Sequence, residues 1–97
     1  MKIVSALAAL SLMAVLPVLA REAPVPLKDA PGRATVENIC SGCHSLDYIR
    51  INAPFMNRQA WTASVTKMVQ AFGAPIQQPD QAAIVDYLAA NYGAPPQ

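Results

Sequence analysis

Two cysteines and a histidine stand close together in the run Cys40-Ser41-Gly42-Cys43-His44. The spacing Cys-x-x-Cys-His is the attachment sequence of c-type haem. Two thiols about one helical turn apart can add to the two vinyl groups of a porphyrin, and the imidazole of the next residue then lies under the iron. The motif therefore predicts one covalent haem c, attached through Cys40 and Cys43, with His44 as the proximal iron ligand.

Three other uses of these residues are less consistent with the sequence. A structural zinc site needs four ligands, commonly from two separated pairs, whereas the chain has 2 cysteines and 1 histidine within one short run. A thioredoxin-like dithiol would follow a strand of an α/β fold, and no alternating strand pattern is present. A plain disulfide would close a very small loop and remove little chain entropy, and it would leave His44 without a role.

The sixth iron ligand must come from elsewhere in the chain or from a partner, because His44 is the only histidine. A methionine thioether opposite a histidine is typical of electron-transfer haems. Met56 lies in a loop ahead of a predicted helix, and Met68 lies on that helix's apolar stripe, where core filling is the commoner use of methionine. The residues alone leave Met68 and Met56 both open.

The N-terminal residues have the pattern of a secretory signal peptide. Lys2 precedes the apolar run from Ile3 to Ala20, which ends in small or apolar residues. An uncleaved membrane anchor is the alternative, since about 18 apolar residues just reach spanning length. Pro17 and the Val18-Leu19-Ala20 ending favour cleavage after Ala20, so we expect a periplasmic protein that has no membrane segment after processing.

Composition and charge exclude several classes of function. Lys2 is one of 7 Lys and Arg, so the 6 that remain balance the 6 Asp and Glu. A neutral domain without a basic cluster has little affinity for nucleic acid. Residues 21–97 are near the size at which an apolar core alone stabilises a fold, and a covalent haem would supply the additional stabilisation.

The apolar periodicity predicts a small all-α domain with about three helices packed around the haem. Residues 21–32 are rich in proline and form an extended segment over the surface, and residues 33–97 form the cytochrome c domain. The predicted helices start near Pro31 or Gly32 and end at Cys40, start after the N-cap Asn57 and end at Gly73, and start at Pro79-Asp80 and end at Gly93. Residues 45–57 are predicted to be a loop.

Further residues extend the haem motif into a recognisable pattern. They are Cys43 to Ile49, Pro54-Phe55, Trp61, Val65, Lys67-Met68, Phe72 to Ile76, Asp80, Ile84, Tyr87-Leu88 and Tyr92-Gly93. On these residues, the segment 40–93 resembles the monohaem cytochrome subunit of periplasmic sulfite dehydrogenases. The tryptophan, the Lys-Met pair and the Gly-Ala-Pro-Ile run also resemble haem domains attached to other periplasmic dehydrogenases.

The resemblance implies an electron-transfer subunit that is not catalytic alone. Its partner would be a molybdenum-containing catalytic subunit that oxidises sulfite, with which it would form a heterodimer. A downstream cytochrome c or oxidase would be the electron acceptor. The resemblance also implies His/Met ligation and places Met68 ahead of Met56. Other possibilities are service to another periplasmic dehydrogenase, as a subunit or a diffusible cytochrome, and a ligand-binding haem sensor or peroxidase. A peroxidase would need a distal acid and base, and this chain has no second histidine to serve as one.

Two sets of residues are secondary candidates. The side chains that could donate hydrogen bonds to haem propionates are Arg50, Arg58, Tyr48 and Trp61. The residues expected to form an apolar docking patch near the haem edge are Ile51, Pro54, Phe55 and Pro75.

Overall fold

Residues 25–95 of the computed structural model contain four α-helices and one short 3-10 helix, with no strand among them. The α-helices are α1 (Arg33–Cys40), α2 (Asp47–Asn52), α3 (Arg58–Gln70) and α4 (Gln78–Asn91), and the 3-10 helix Ala53–Phe55 follows α2 directly. The all-α prediction is confirmed for these residues. None of their helices is long and apolar enough to cross a bilayer. The predicted signal peptide 1–20 and the start of the segment 21–32 lie outside the described residues.

Helix α3 begins and ends at the positions that local chemistry favours. The side chain of Asn57 accepts a hydrogen bond from the amide of Ala60 at 2.8 Å, which confirms the predicted N-cap. Beyond the last turn, Gly73 has a φ of +70°, a conformation in which glycine avoids a Cβ clash. The amide of Ala74 then donates to the carbonyl of Met68 at 2.9 Å. The chain after α3 is therefore folded back beside Met68.

Helix α4 forms the centre of the core because it packs against both α3 and α1. It starts with Pro79 in its first turn, where a missing amide hydrogen costs nothing, and with Asp80 near the positive end of the helix dipole. The buried core residues are Leu27, Val36, Ile49, Trp61, Val65, Ile84, Val85, Tyr87, Leu88 and Tyr92. Phe72 continues the spacing of the apolar residues Trp61, Val65 and Met68, but it is 69% exposed because it follows the last turn of α3.

The prediction that residues 45–57 form a loop is wrong in part, since these residues contain α2 and the 3-10 helix. The hydroxyl of Ser45 accepts a hydrogen bond from the amide of Asp47 at 3.1 Å, and Arg50 pairs with Asp47 at 3.0 Å. Ile49 is the one buried residue of α2. A six-residue helix with a single buried side chain is too short to show apolar periodicity, so pattern reasoning missed it.

The N-terminal strap, residues 25–28, takes part in the core and does not only cover the surface. Leu27 is 3% exposed, and its amide donates to the Glu37 carboxylate at 3.1 Å. The Lys28 amide donates to the Tyr92 hydroxyl at 2.9 Å, and the Tyr87 hydroxyl donates to the Lys28 carbonyl at 2.5 Å. The strap thus joins α1 to the end of α4.

Candidate functional site

A cavity of about 400 Å³ is lined by the end of α1, by α2, α3 and α4, and by the segment between α3 and α4. This volume lies within the range of small-molecule pockets. Its apolar lining consists of Ile39, Leu46, Ile49, Trp61, Val65, Ala74, Pro75, Ile76, Ile84 and Leu88. The same cavity is also lined by Cys40, Cys43, His44 and Met68. The structure therefore brings four of the five predicted site residues to one cavity.

The two cysteines differ in environment although they are close in sequence. Cys40 is the last residue of α1 and is partly buried, whereas Cys43 is exposed, and both are free thiols. Burial raises the pKa of the Cys40 thiol because a thiolate would lose hydration there. Both side chains line the cavity, which is the placement that thioether formation with a ligand in the cavity requires.

His44 is held by the residues that follow it. Its Nδ1 lies 3.0 Å from the carbonyl oxygen of Ser45. A carbonyl only accepts hydrogen bonds, so in the neutral imidazole this contact places the proton on Nδ1 and leaves the Nε2 lone pair available to a metal. A hydrogen bond from the second ring nitrogen to a backbone carbonyl is the usual arrangement for a histidine that binds a metal.

The two candidate methionines lie in different places. Met68, on α3, lines the cavity together with the haem motif. Met56 does not line it; its side chain packs against the core, and its carbonyl accepts a hydrogen bond from the Ala94 amide at 2.7 Å. The structure therefore brings Met68, and not Met56, to the cavity of Cys40, Cys43 and His44.

The predicted propionate donors are mostly engaged elsewhere. Arg50 bonds to Asp47 and to the Val25 carbonyl, and Arg58 pairs with Asp86 at 2.6 Å. Neither arginine lines the cavity.

The other two predicted donors do line the cavity. The Trp61 indole donates to the Tyr92 carbonyl at 2.8 Å, so its N–H is already used, whereas Tyr48 lies beside His44. Sequence reasoning missed Asn38 and Ser64, two further polar residues of the lining. Ser64 occurs one turn from both Trp61 and Met68 on α3, and that spacing was its only available signal, whereas Asn38 has no such spacing to a recognised residue of α1.

The predicted docking residues are exposed. Ile51 is 69% and Phe55 81% exposed, and Pro54 and Pro75 are also at the surface. Of these, Pro75 also lines the cavity. Tyr48, Ile51 and Phe55 follow one another at helical spacing along α2 and the 3-10 helix, so an exposed apolar stripe leads away from the cavity.

The residues present fit a covalently bound haem. Two thiols, an imidazole with a free Nε2 and a thioether border an apolar cavity, and these are the atoms by which c-type haem is attached and ligated.

Comparison with protein-family models gives no match for this chain, and comparison with curated proteins gives none.

Proposed function

We propose that this chain is a periplasmic c-type cytochrome that transfers single electrons. The observation that carries the proposal is that Met68 lines the same apolar cavity as Cys40, Cys43 and His44, although it is 24 residues further along the chain than His44. In this proposal residues 1–20 direct export and are removed after Ala20. Residues 33–97 form the haem domain, and the preceding segment is joined to it through Leu27, which is packed in the core.

The roles of the chain's residues follow from the cavity. Cys40 and Cys43 would hold the haem through thioethers, and His44 and Met68 would ligate its iron. Haem c supplies one-electron redox chemistry at a nearly constant geometry. The apolar lining excludes water and so disfavours the more highly charged oxidised state, and methionine as sixth ligand raises the potential further. With His44 and Met68 both used as ligands, the chain would leave no open iron site for a substrate.

We infer from the family resemblance that the electron donor is a molybdenum-containing subunit that oxidises sulfite, with which this chain forms a heterodimer. Oxidation of sulfite to sulfate takes an oxygen from water and releases two protons and two electrons. A chain with one haem accepts these electrons one at a time and passes each to a downstream cytochrome c or oxidase. The sulfite chemistry belongs to the partner.

The exposed residues Ile51, Pro54, Phe55 and Pro75 are the docking patch in this proposal. Asp47 and Arg50, the charged residues of α2, pair with each other, which leaves an apolar contact with little dependence on salt. We expect Phe55→Asp to slow electron transfer from the partner while leaving the haem spectrum unchanged. Phe72→Asp is the matched control, because Phe72 is also exposed but lies at the end of α3.

The experiment that tests the function isolates the cytochrome from native periplasm with whatever copurifies and adds sulfite without oxygen. Reduction of the haem by sulfite, lost when the cytochrome is separated from its companion and restored on mixing, supports the sulfite assignment. If sulfite leaves the haem oxidised while dithionite reduces it, the donor is another dehydrogenase. A purified chain without covalent haem contradicts the cytochrome proposal itself.

A further inference from the structure

We propose that Tyr48 is a positioning residue, whose ring fixes the plane of the His44 imidazole. The inference rests on the proposed function, since the plane of this imidazole has a measurable consequence only when Nε2 binds iron. The two rings lie with their centroids 5.7 Å apart and at an interplanar angle of 62°, an edge-to-face arrangement. This geometry is within the range preferred by aromatic pairs.

A second contact is needed because the hydrogen bond of His44 leaves one motion free. The bond from Nδ1 to the Ser45 carbonyl restrains one distance, so the two side-chain torsions of His44 can still change together while that distance is kept. The second side-chain torsion of histidine has a broad, shallow preference and does not hold the ring by itself. The edge-to-face contact with the Tyr48 ring restricts this remaining freedom.

Tyr48 can act in this way because it is carried by a helix whose start is tied to the same turn. The hydroxyl of Ser45 accepts the Asp47 amide at 3.1 Å, so the residue that bonds His44 also begins α2. Ile49 anchors α2 in the core at 4% exposure. The Ser45 carbonyl and the Tyr48 ring therefore keep their relative positions, and together they define the imidazole plane.

The contact is made by the ring and not by the hydroxyl. Phenylalanine keeps the edge-to-face pair, whereas leucine fills similar space without an aromatic edge and alanine leaves the space open. Tyr48→Phe is therefore the conservative control, and Tyr48→Leu separates loss of the ring from loss of packing. Tyr48 is 40% exposed, so these substitutions do not open a cavity in the core.

The test measures the ferric, haem-loaded protein by low-temperature EPR and by the paramagnetically shifted haem methyl signals in NMR, both of which respond to the axial imidazole plane. We expect Tyr48→Phe to match the native chain. Tyr48→Leu and Tyr48→Ala should populate a second imidazole orientation, with a change of about two- to tenfold in the ratio of orientations, as the strength of an aromatic pair implies.

Two results overturn the inference. Native spectra in the leucine and alanine variants would show that the ring does not set the plane, and an altered spectrum in the phenylalanine variant would assign the effect to the hydroxyl. If the alanine variant fails to fold by far-UV circular dichroism, the leucine variant decides. Absence of covalent haem in the native chain is seen before any variant is compared, and it overturns the proposed function together with this inference.

Discussion

Replacement of Met68 by alanine, with Met56→Ala as the matched control, tests the ligand set most directly. Met68 lines the cavity beside His44, whereas Met56 packs against the core away from it. We expect Met68→Ala to leave the iron without its thioether, so that the ferric protein becomes high-spin and the reduced protein binds carbon monoxide. Met56→Ala should remain low-spin and indifferent to carbon monoxide.

The two variants are matched in their expected cost to stability. Both methionines are partly buried, so each substitution is expected at the low end of the range for methionine in a core, about 2 kcal/mol. Domains of this size have a free energy of unfolding of about 5–15 kcal/mol, and both variants should therefore fold. A spectroscopic difference between them then reports the ligand and not general destabilisation. Carbon monoxide uptake should rise from none to one molecule per haem in Met68→Ala alone.

The assay combines the visible spectrum of the oxidised protein with a carbon monoxide titration of the reduced protein, and urea unfolding checks that the stabilities match. Low-spin spectra in Met68→Ala together with high-spin spectra in Met56→Ala would refute the geometric reasoning and favour Met56. A native protein that already binds carbon monoxide would show that the sixth position is open, which contradicts electron transfer by a His/Met haem.

Three further predictions concern the fold around the cavity. Leu27→Ala removes a core contact of the strap and should lower the free energy of unfolding by about 2–3 kcal/mol in urea, whereas the exposed neighbour Val25→Ala should have little effect. Trp61→Phe leaves the buried Tyr92 carbonyl without its donor and should lower the free energy of unfolding by about 1–3 kcal/mol in the same assay. An unchanged free energy of unfolding would argue against that hydrogen bond. Burial raises the pKa of Tyr87 from 10.0 to about 12, so the unfolded state loses this proton first and the free energy of unfolding should fall between about pH 10 and 12. In Tyr87→Phe the free energy of unfolding should depend less on pH over that window. An equal pH dependence in both proteins would contradict the assignment.

Several features of this protein follow from short stretches of sequence. The Cys-x-x-Cys-His run, the Asn57 cap and the proline in the first turn of α4 act over a few residues, and so three of the helices could be placed from the sequence. Helix α2 could not, because one buried side chain leaves no periodic pattern. The stabilisation of α2 comes from the packing of Ile49 in the core, a contact with residues that are distant in sequence.

The sequence by itself determined the reactive motif and the helical class, since both depend on spacing along the chain. Only the tertiary structure decided which methionine lies at the cavity, because that depends on how α3 is set against the end of α1. It also decided that the strap enters the core, where the Lys28 amide meets a tyrosine hydroxyl 64 residues away. Contacts of this range carry no local signature, since their free energy is gained only when the helices are already packed together.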